Sequence, residues 1–189
     1  MTFGETRTDG NVINSEGFAI YIWFDWIQDI YDNTKIDIGD FNMEGNQINA
    51  PSWGGIYFDG DAFNNVDPGG SIRMGRLNAI ANVITADMGI ALITDYGDLA
   101  PGDSKTSLIS QNMVGNGSLG IGLLACQNAT VNENIISNCS VYGIDVEFSY
   151  GNLIYHNQFL GNAVQAYDEG INTRWNAPVP VTLIHAAIV

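Results

Sequence analysis

The sequence predicts an all-β chain: a right-handed parallel β-helix of about six coils, with an aromatic N-terminal cap or first coil. Three observations carry this. A phrase of Asn, any residue, an aliphatic, a gap and then Gly-Ile recurs along the chain. Gly, Asn and Asp interrupt it at short intervals, as turns require. No segment has the apolar spacing of an amphipathic helix. One domain, 1–189, is expected, with an atypical first stretch (1–45), regular coils (46–176) and a C-terminal strand or cap (177–189).

The phrase reads GNQINAPSWGGIYF, ANVITADMGIAL, QNMVGNGSLGIGL and ENIISNCSVYGIDV, after a weaker copy, NVINSEGFAIYI, with Ala19 in place of the Gly. Its anchors are Ile20, Ile56, Ile90, Ile121 and Ile144, spaced by 36, 34, 31 and 23 residues. A third apolar stretch precedes each Asn: TKIDI, SIRMG, TSLIS, ATVNE and NLIYH. Three strands per coil describe a triangular solenoid. Strands this short pair with their counterpart one coil away, about 4.8 Å distant. Ile48, Ile84, Val114, Ile136 and Phe159 then form one inward column, and the anchoring Ile residues a second. Asn46, Asn82, Asn112, Asn134 and Asn157 form a third. Their amides donate and accept at once, so they suit a hydrogen-bonded ladder that sets corners and register.

The stretch FAIYIWFDWIQDIYD places six aromatics in fourteen residues. Two readings stand: a cover for the open solenoid end, or a platform for stacking sugar rings. On the second, Trp23, Trp26, Trp53 and Tyr57 are the carbohydrate-binding candidates. At the other end, residues 181–189 are uncharged and apolar, fit either to fold over the last coil or to extend an edge in another copy.

Six Lys+Arg against 21 Asp+Glu give a net charge of −15, which repels phosphate backbones and argues against nucleic-acid binding. No apolar run is long enough to insert in a membrane, and no signal peptide is visible at the start. Fifteen of the acids are Asp, seven of them beside Gly or Asn, a setting that favours turns and hard cations. Cys126 and Cys139 fall at opposite ends of a strand in successive coils, too far apart to bridge, so free thiols are expected.

Five positions past successive anchors lie Asp25, Asp61 and Asp95, then Cys126 and Ser149. Three carboxylates on one corner repel one another, and a bound Ca²⁺ would relieve this; the plainer alternative is turn-capping Asp facing solvent. No other cofactor is required. A lyase would need a basic side chain beside a cation; Arg73 and Arg76 near Asp59 and Asp61 are the best available set, with surface ion pairing as the alternative. Paired carboxylates of hydrolase type arise too easily among fifteen Asp to discriminate. Asn116, Asn128 and Asn138 head N-x-S/T triplets, candidate glycosylation sites that an Asn- and Ser-rich chain also produces by chance.

Tyr142-Gly143-Ile144, then Asn152-Leu153-Ile154-Tyr155-His156-Asn157-Gln158-Phe159, then Asn162, Gln165-Ala166, Asp168 and Asn172 ahead of Trp175 resemble the repeat of NosD-type proteins. They also resemble the wider carbohydrate-binding and sugar-hydrolase (CASH) group. The resemblance is dense over about 45 residues and dilutes over about 100 more. It implies a right-handed parallel β-helix, usually periplasmic, extracellular or on a cell surface, and no particular activity. NosD-type proteins are linked to copper-enzyme maturation, yet His156 and His185 are the only histidines, 29 residues apart, and the five Met are scattered. A corner role for His156 fits better than ligation.

The expectation is therefore an extracellular or cell-surface module, structural or glycan-binding, self-associating and without catalysis. The alternatives are a polysaccharide lyase or glycoside hydrolase working in an acidic groove, and a phage tail or sheath component.

Overall fold

The computed structural model describes residues 2–3, 5–23, 34–59, 71–73, 75–93, 106–176 and 183–185. Every ladder in it is parallel, and each strand pairs with the equivalent strand of the next coil. The chain is a parallel β-helix, with the right-handed wind that parallel crossovers favour.

Three sheets form its walls. The first stacks Thr6–Asp9, Phe41–Glu44, Leu77–Ile80, Leu108–Ser110, Thr130–Asn132, Leu153–Tyr155 and Arg174–Asn176. The second stacks Val12–Asn14, residues 47–50 and 83–86, Met113–Gly115, Ile135–Ser137 and Gln158–Leu160. The third stacks Ile20–Trp23, residues 54–59 and 88–93, Leu119–Leu124, Tyr142–Glu147, Val164–Asp168 and Leu183–His185. In two early coils the strands Gln47–Asp59 and Val83–Ile93 run unbroken from the second sheet into the third. Thr6–Asp9, Val12–Asn14 and Ile20–Trp23 give the first coil a strand in every wall.

The anchoring Ile residues are register partners throughout: Ile20 with Ile56, Ile56 with Ile90, Ile90 with Ile121, and Ile121 with Ile144. The last four are fully buried. Ile48, Ile84, Val114, Ile136 and Phe159 stack in the same way on the second sheet. One correction concerns the third apolar stretch. In the two longest coils, Lys35–Ile38 and Ser71–Arg73 belong to a separate short sheet with Thr2–Phe3, and the first sheet there takes Phe41–Glu44 and Leu77–Ile80 instead. A coil with a step near 36 residues has room for a fourth short strand that a coil of 22 or 23 lacks.

The asparagine ladder is continuous. Asn46, Asn82, Asn112 and Asn134 each donate from Nδ2 to the Oδ1 of the next, at 2.9–3.0 Å, and Asn157 ends the series. Asn11 extends it to the first coil at 3.1 Å. The ladder residues do not themselves turn the corner. The residue before each does so with a left-handed backbone: Gly10, Gly45, Ala81, Gln111, Glu133 and His156 all have φ between 54° and 65°. His156 is thus a corner residue, exposed and set edge-on to Tyr155. The ladder amides stabilise that turn by accepting the preceding coil's backbone N–H.

Candidate functional site

Outward positions of the third sheet bring together what the sequence scatters. One residue past each anchor, Tyr21, Tyr57, Ala91, Gly122 and Asp145 lie side by side, followed by Tyr167. Two further along come Trp23, Asp59, Ile93, Leu124 and Glu147. Alternation along each strand turns both rows to solvent while the Ile and Leu residues between them face the core.

Aromatic rings cover the N-terminal end of this face. Phe18 stacks on Tyr21 at 4.7 Å, and Tyr21 on Trp23 at 5.9 Å with planes only 8° apart. Trp53 and Tyr57 pack against Phe18 at 5.3 and 4.9 Å, and Tyr57 meets Tyr21 edge-on at 5.4 Å. The register shifts between Ala86 and Met88, where Pro51, Ser52 and Trp53 oppose Asp87 alone; the two extra residues push Trp53 outward. Trp23 and Trp53 remain 57% and 51% exposed, so the cluster presents ring faces and edges to solvent. Three of the four aromatic candidates thus meet; Trp26 lies outside the described residues. Burial, then the charge of Asp59 and the neighbouring Tyr21, raise the Tyr57 phenol above its usual range, so it stays neutral and able to donate.

Beyond Tyr57 the small residues Ala91 and Gly122 floor a trough of about 170 Å³. Met88 and Leu119 line it from one column, Ile93 and Leu124 from another, and Asp145 with Glu147 closes the far end. Asp145 Oδ1 is buried without a hydrogen-bond partner. Burial, then the negative charges of Glu147 and Glu169, push this carboxyl up to about 6. Tyr142 and Tyr167 stack just past it at 5.2 Å, and the Tyr167 hydroxyl is bound to Glu169, which lifts that phenol to about 12. The trough was missed in the sequence, although its signal was present. Aligned on the anchors, the next column reads Tyr, Tyr, Ala, Gly, Asp, a run of small residues between aromatic and acid.

The remaining candidates separate. Arg76 pairs with Asp40 through Nε to Oδ2 at 2.9 Å, and its backbone N–H donates to the same carboxylate. Arg73 enters through its backbone, paired with Asp37 in the short sheet. Asp59 faces the aromatic platform beside Trp23 and Tyr57, while Asp25, Asp61 and Asp95 lie outside the described residues. At the equivalent positions of two later coils, the Cys126 N–H donates to Ser149 Oγ at 2.9 Å. Both thiols are buried, and desolvation pushes Cys139 up to about 11. Asn116, Asn128 and Asn138 occupy exposed left-handed corners, and Asn138 Nδ2 donates to Asn116 Oδ1 at 3.2 Å.

Residues 39–186 match a family model described as periplasmic copper-binding protein (NosD). The chain belongs to the NosD family. No curated protein and no solved structure matches it. Family membership agrees with the parallel β-helix. The copper in the family's description does not fit the His, Cys and acidic residues described. Among the described residues no three His, Cys, Asp or Glu side chains converge so as to hold a metal ion. Cys126 Sγ is buried against the Leu92 carbonyl oxygen at 2.9 Å, Cys139 keeps its proton, and His156 stands alone on a corner. Copper sites need clustered soft or imidazole donors, and no His or Cys cluster of that kind occurs among the described residues.

Proposed function

We propose that this NosD-family chain is an extracytoplasmic binding module that holds a glycan across the outer face of its third sheet, without turning it over. The family's periplasmic description supports the location. The observation that carries the ligand class is the platform of Phe18, Tyr21, Trp23, Trp53 and Tyr57, where several rings stay half-exposed on one sheet face. Sugar rings present C–H faces that pack on such aromatics while their hydroxyls remain in water. Core packing alone gives no reason to leave Trp23 and Trp53, at the two ends of this ring cluster, about half exposed. An extended glycan fits a face that repeats at each coil, since every strand offers a similar footing about 4.8 Å further on.

Titration calorimetry with hexaose-length oligosaccharides tests this. Trp53→Ala is expected to weaken binding by about ten-fold or more, in keeping with about 1–3 kcal/mol for a buried stacking contact. Trp53 sits on an outward bulge, so the variant keeps its fold by circular dichroism. No binding by wild type to any neutral or amino oligosaccharide sinks the reading. Appearance of shortened oligosaccharides in the mixture overturns its non-catalytic half.

A further inference from the structure

We propose that the trough selects glycans carrying free amino groups, that is oligomers of deacetylated hexosamine, and seats one ammonium at Asp145. The inference rests on the glycan-binding reading and adds to it the charge of the ligand.

The trough has a direction. Tyr57 stands at one end and Asp145 at the other, three coil steps apart, or roughly 14 Å. Between them Ala91 and Gly122 leave the floor low, and Met88, Leu119, Ile93 and Leu124 give it apolar sides. An oligosaccharide lying along it meets an aromatic at its first unit and a carboxylate a few units on. Among the described residues none that lines the trough is basic. Its far end is anionic instead: Asp145 and Glu147 both line it, with Glu169 and the Tyr142–Tyr167 pair immediately beyond.

The polar arithmetic at Asp145 points to a cation. Its Oδ1 is buried and unpartnered, a state that costs free energy until a donor arrives. A sugar hydroxyl would satisfy the hydrogen bond but leave the repulsion among Asp145, Glu147 and Glu169 in place. An ammonium resting on the trough-lining carboxylate of Asp145 does both, giving it a charge-assisted bond and relieving the like charges around it. A compact metal ion is the other candidate, but among the described residues no three acids converge to coordinate one. A uronic-acid glycan is excluded by the same charges that favour an amine. The ligand therefore has a pyranose backbone and protonated amines.

Binding of four probes is compared by calorimetry at pH 7 and 0.15 M salt: glucosamine hexamer, its fully N-acetylated counterpart, a neutral glucose hexamer, and a lysine hexapeptide. Wild type is expected to prefer the glucosamine hexamer over the other three by about ten-fold, the size of one charge-assisted hydrogen bond. Asp145→Asn should bind the amine and the N-acetylated oligomers equally, keeping the weaker, shared affinity. Gly122→Leu fills the trough floor from an ordinary extended backbone whose added Cβ meets only the Leu119 side chain, so it folds and weakens all three sugars. Equal binding of amine, acetylated and neutral oligomers by wild type overturns the amine proposal while leaving glycan binding intact. Failure of every sugar overturns both. A lysine peptide bound as tightly as the glucosamine hexamer reduces the effect to bulk charge and overturns it. An Asp145→Asn variant that keeps the preference removes Asp145 as the seat.

Discussion

At the scale of single residues the fold is held by polar groups with no spare valence. Asn112 is fully buried, and its Oδ1 accepts both the backbone N–H and the Nδ2 of Asn82. Its Nδ2 donates to Asn134 Oδ1 and the Ala79 carbonyl oxygen. Asn112→Ala therefore leaves buried groups unpaired on both neighbouring coils. A loss of about 2–4 kcal/mol is expected from urea denaturation, at one to two unmet partners of about 1–3 kcal/mol each. A loss under about 0.5 kcal/mol would mean that water replaces the ladder at no cost. Asp145 behaves oppositely, since its burial beside Glu147 and Glu169 opposes ionisation and pushes it from 3.8 up to about 6. Between those values the folded carboxyl keeps a proton that the unfolded one has lost, so stability falls as pH rises from about 4 to about 6 and then levels. Asp145→Asn should remove that share of the slope. It should add about 1 kcal/mol at pH 7, once the shift is discounted for solvent screening. The comparison is the urea midpoint of both proteins from pH 4 to pH 7.5, and parallel curves would count against it.

At the scale of the strand, two glycines in Leu119–Leu124 have opposite reasons to be there. Gly120 faces a coil so close that an added Cβ would lie 2.4 Å from the Gly143 carbonyl oxygen and 2.5 Å from Ile136 Cγ2. Gly55, Gly89 and Gly143 make the same close approach in their own coils, which explains the Gly-Ile phrase by contact rather than by backbone freedom. Gly122 looks outward, and its added Cβ would touch only the flexible end of Leu119, at 3.0 Å. Gly120→Ala is expected to cost about 1–3 kcal/mol through overpacking. Gly122→Ala should gain up to about 0.5–1 kcal/mol by restricting the unfolded chain. Thermal midpoints moving in the same direction for both would refute the distinction. These elements also explain what the sequence made legible. The Ile anchors and the Asn column repeat because each must match its neighbour along the stack, so their spacing survives loops of different length. The trough has no such self-similarity: Tyr57, Ala91, Gly122 and Asp145 differ in kind because a ligand site needs different groups at different places. The fourth strand of the early coils was misread because TKIDI and SIRMG carry the apolar alternation of a wall strand. Only pairing reveals that Phe41–Glu44 and Leu77–Ile80 hold that place in the first sheet.

At the scale of the whole molecule, charge and repeat act on each other. A net charge of −15 on a solenoid spreads acids along one axis, and the compact state suffers their mutual repulsion. Sodium chloride should therefore raise the thermal midpoint as the screening length falls below about 10 Å. The corner column proposed for Ca²⁺, Asp25, Asp61 and Asp95, demands more than screening. Cys126 and Ser149, five positions past the later anchors, meet each other, whereas the three Asp lie outside the described residues. A site occupied tenfold above its dissociation constant adds about 1.4 kcal/mol. For a chain of this length that is about 3–6 °C in thermal midpoint. Calcium chloride and sodium chloride at matched ionic strength separate the two effects. An excess shift with calcium, reversed by chelator and lost in Asp61→Asn, supports the site. Identical shifts from both salts leave only general screening and remove the calcium site, while the wall registers and the ligand face stand unchanged.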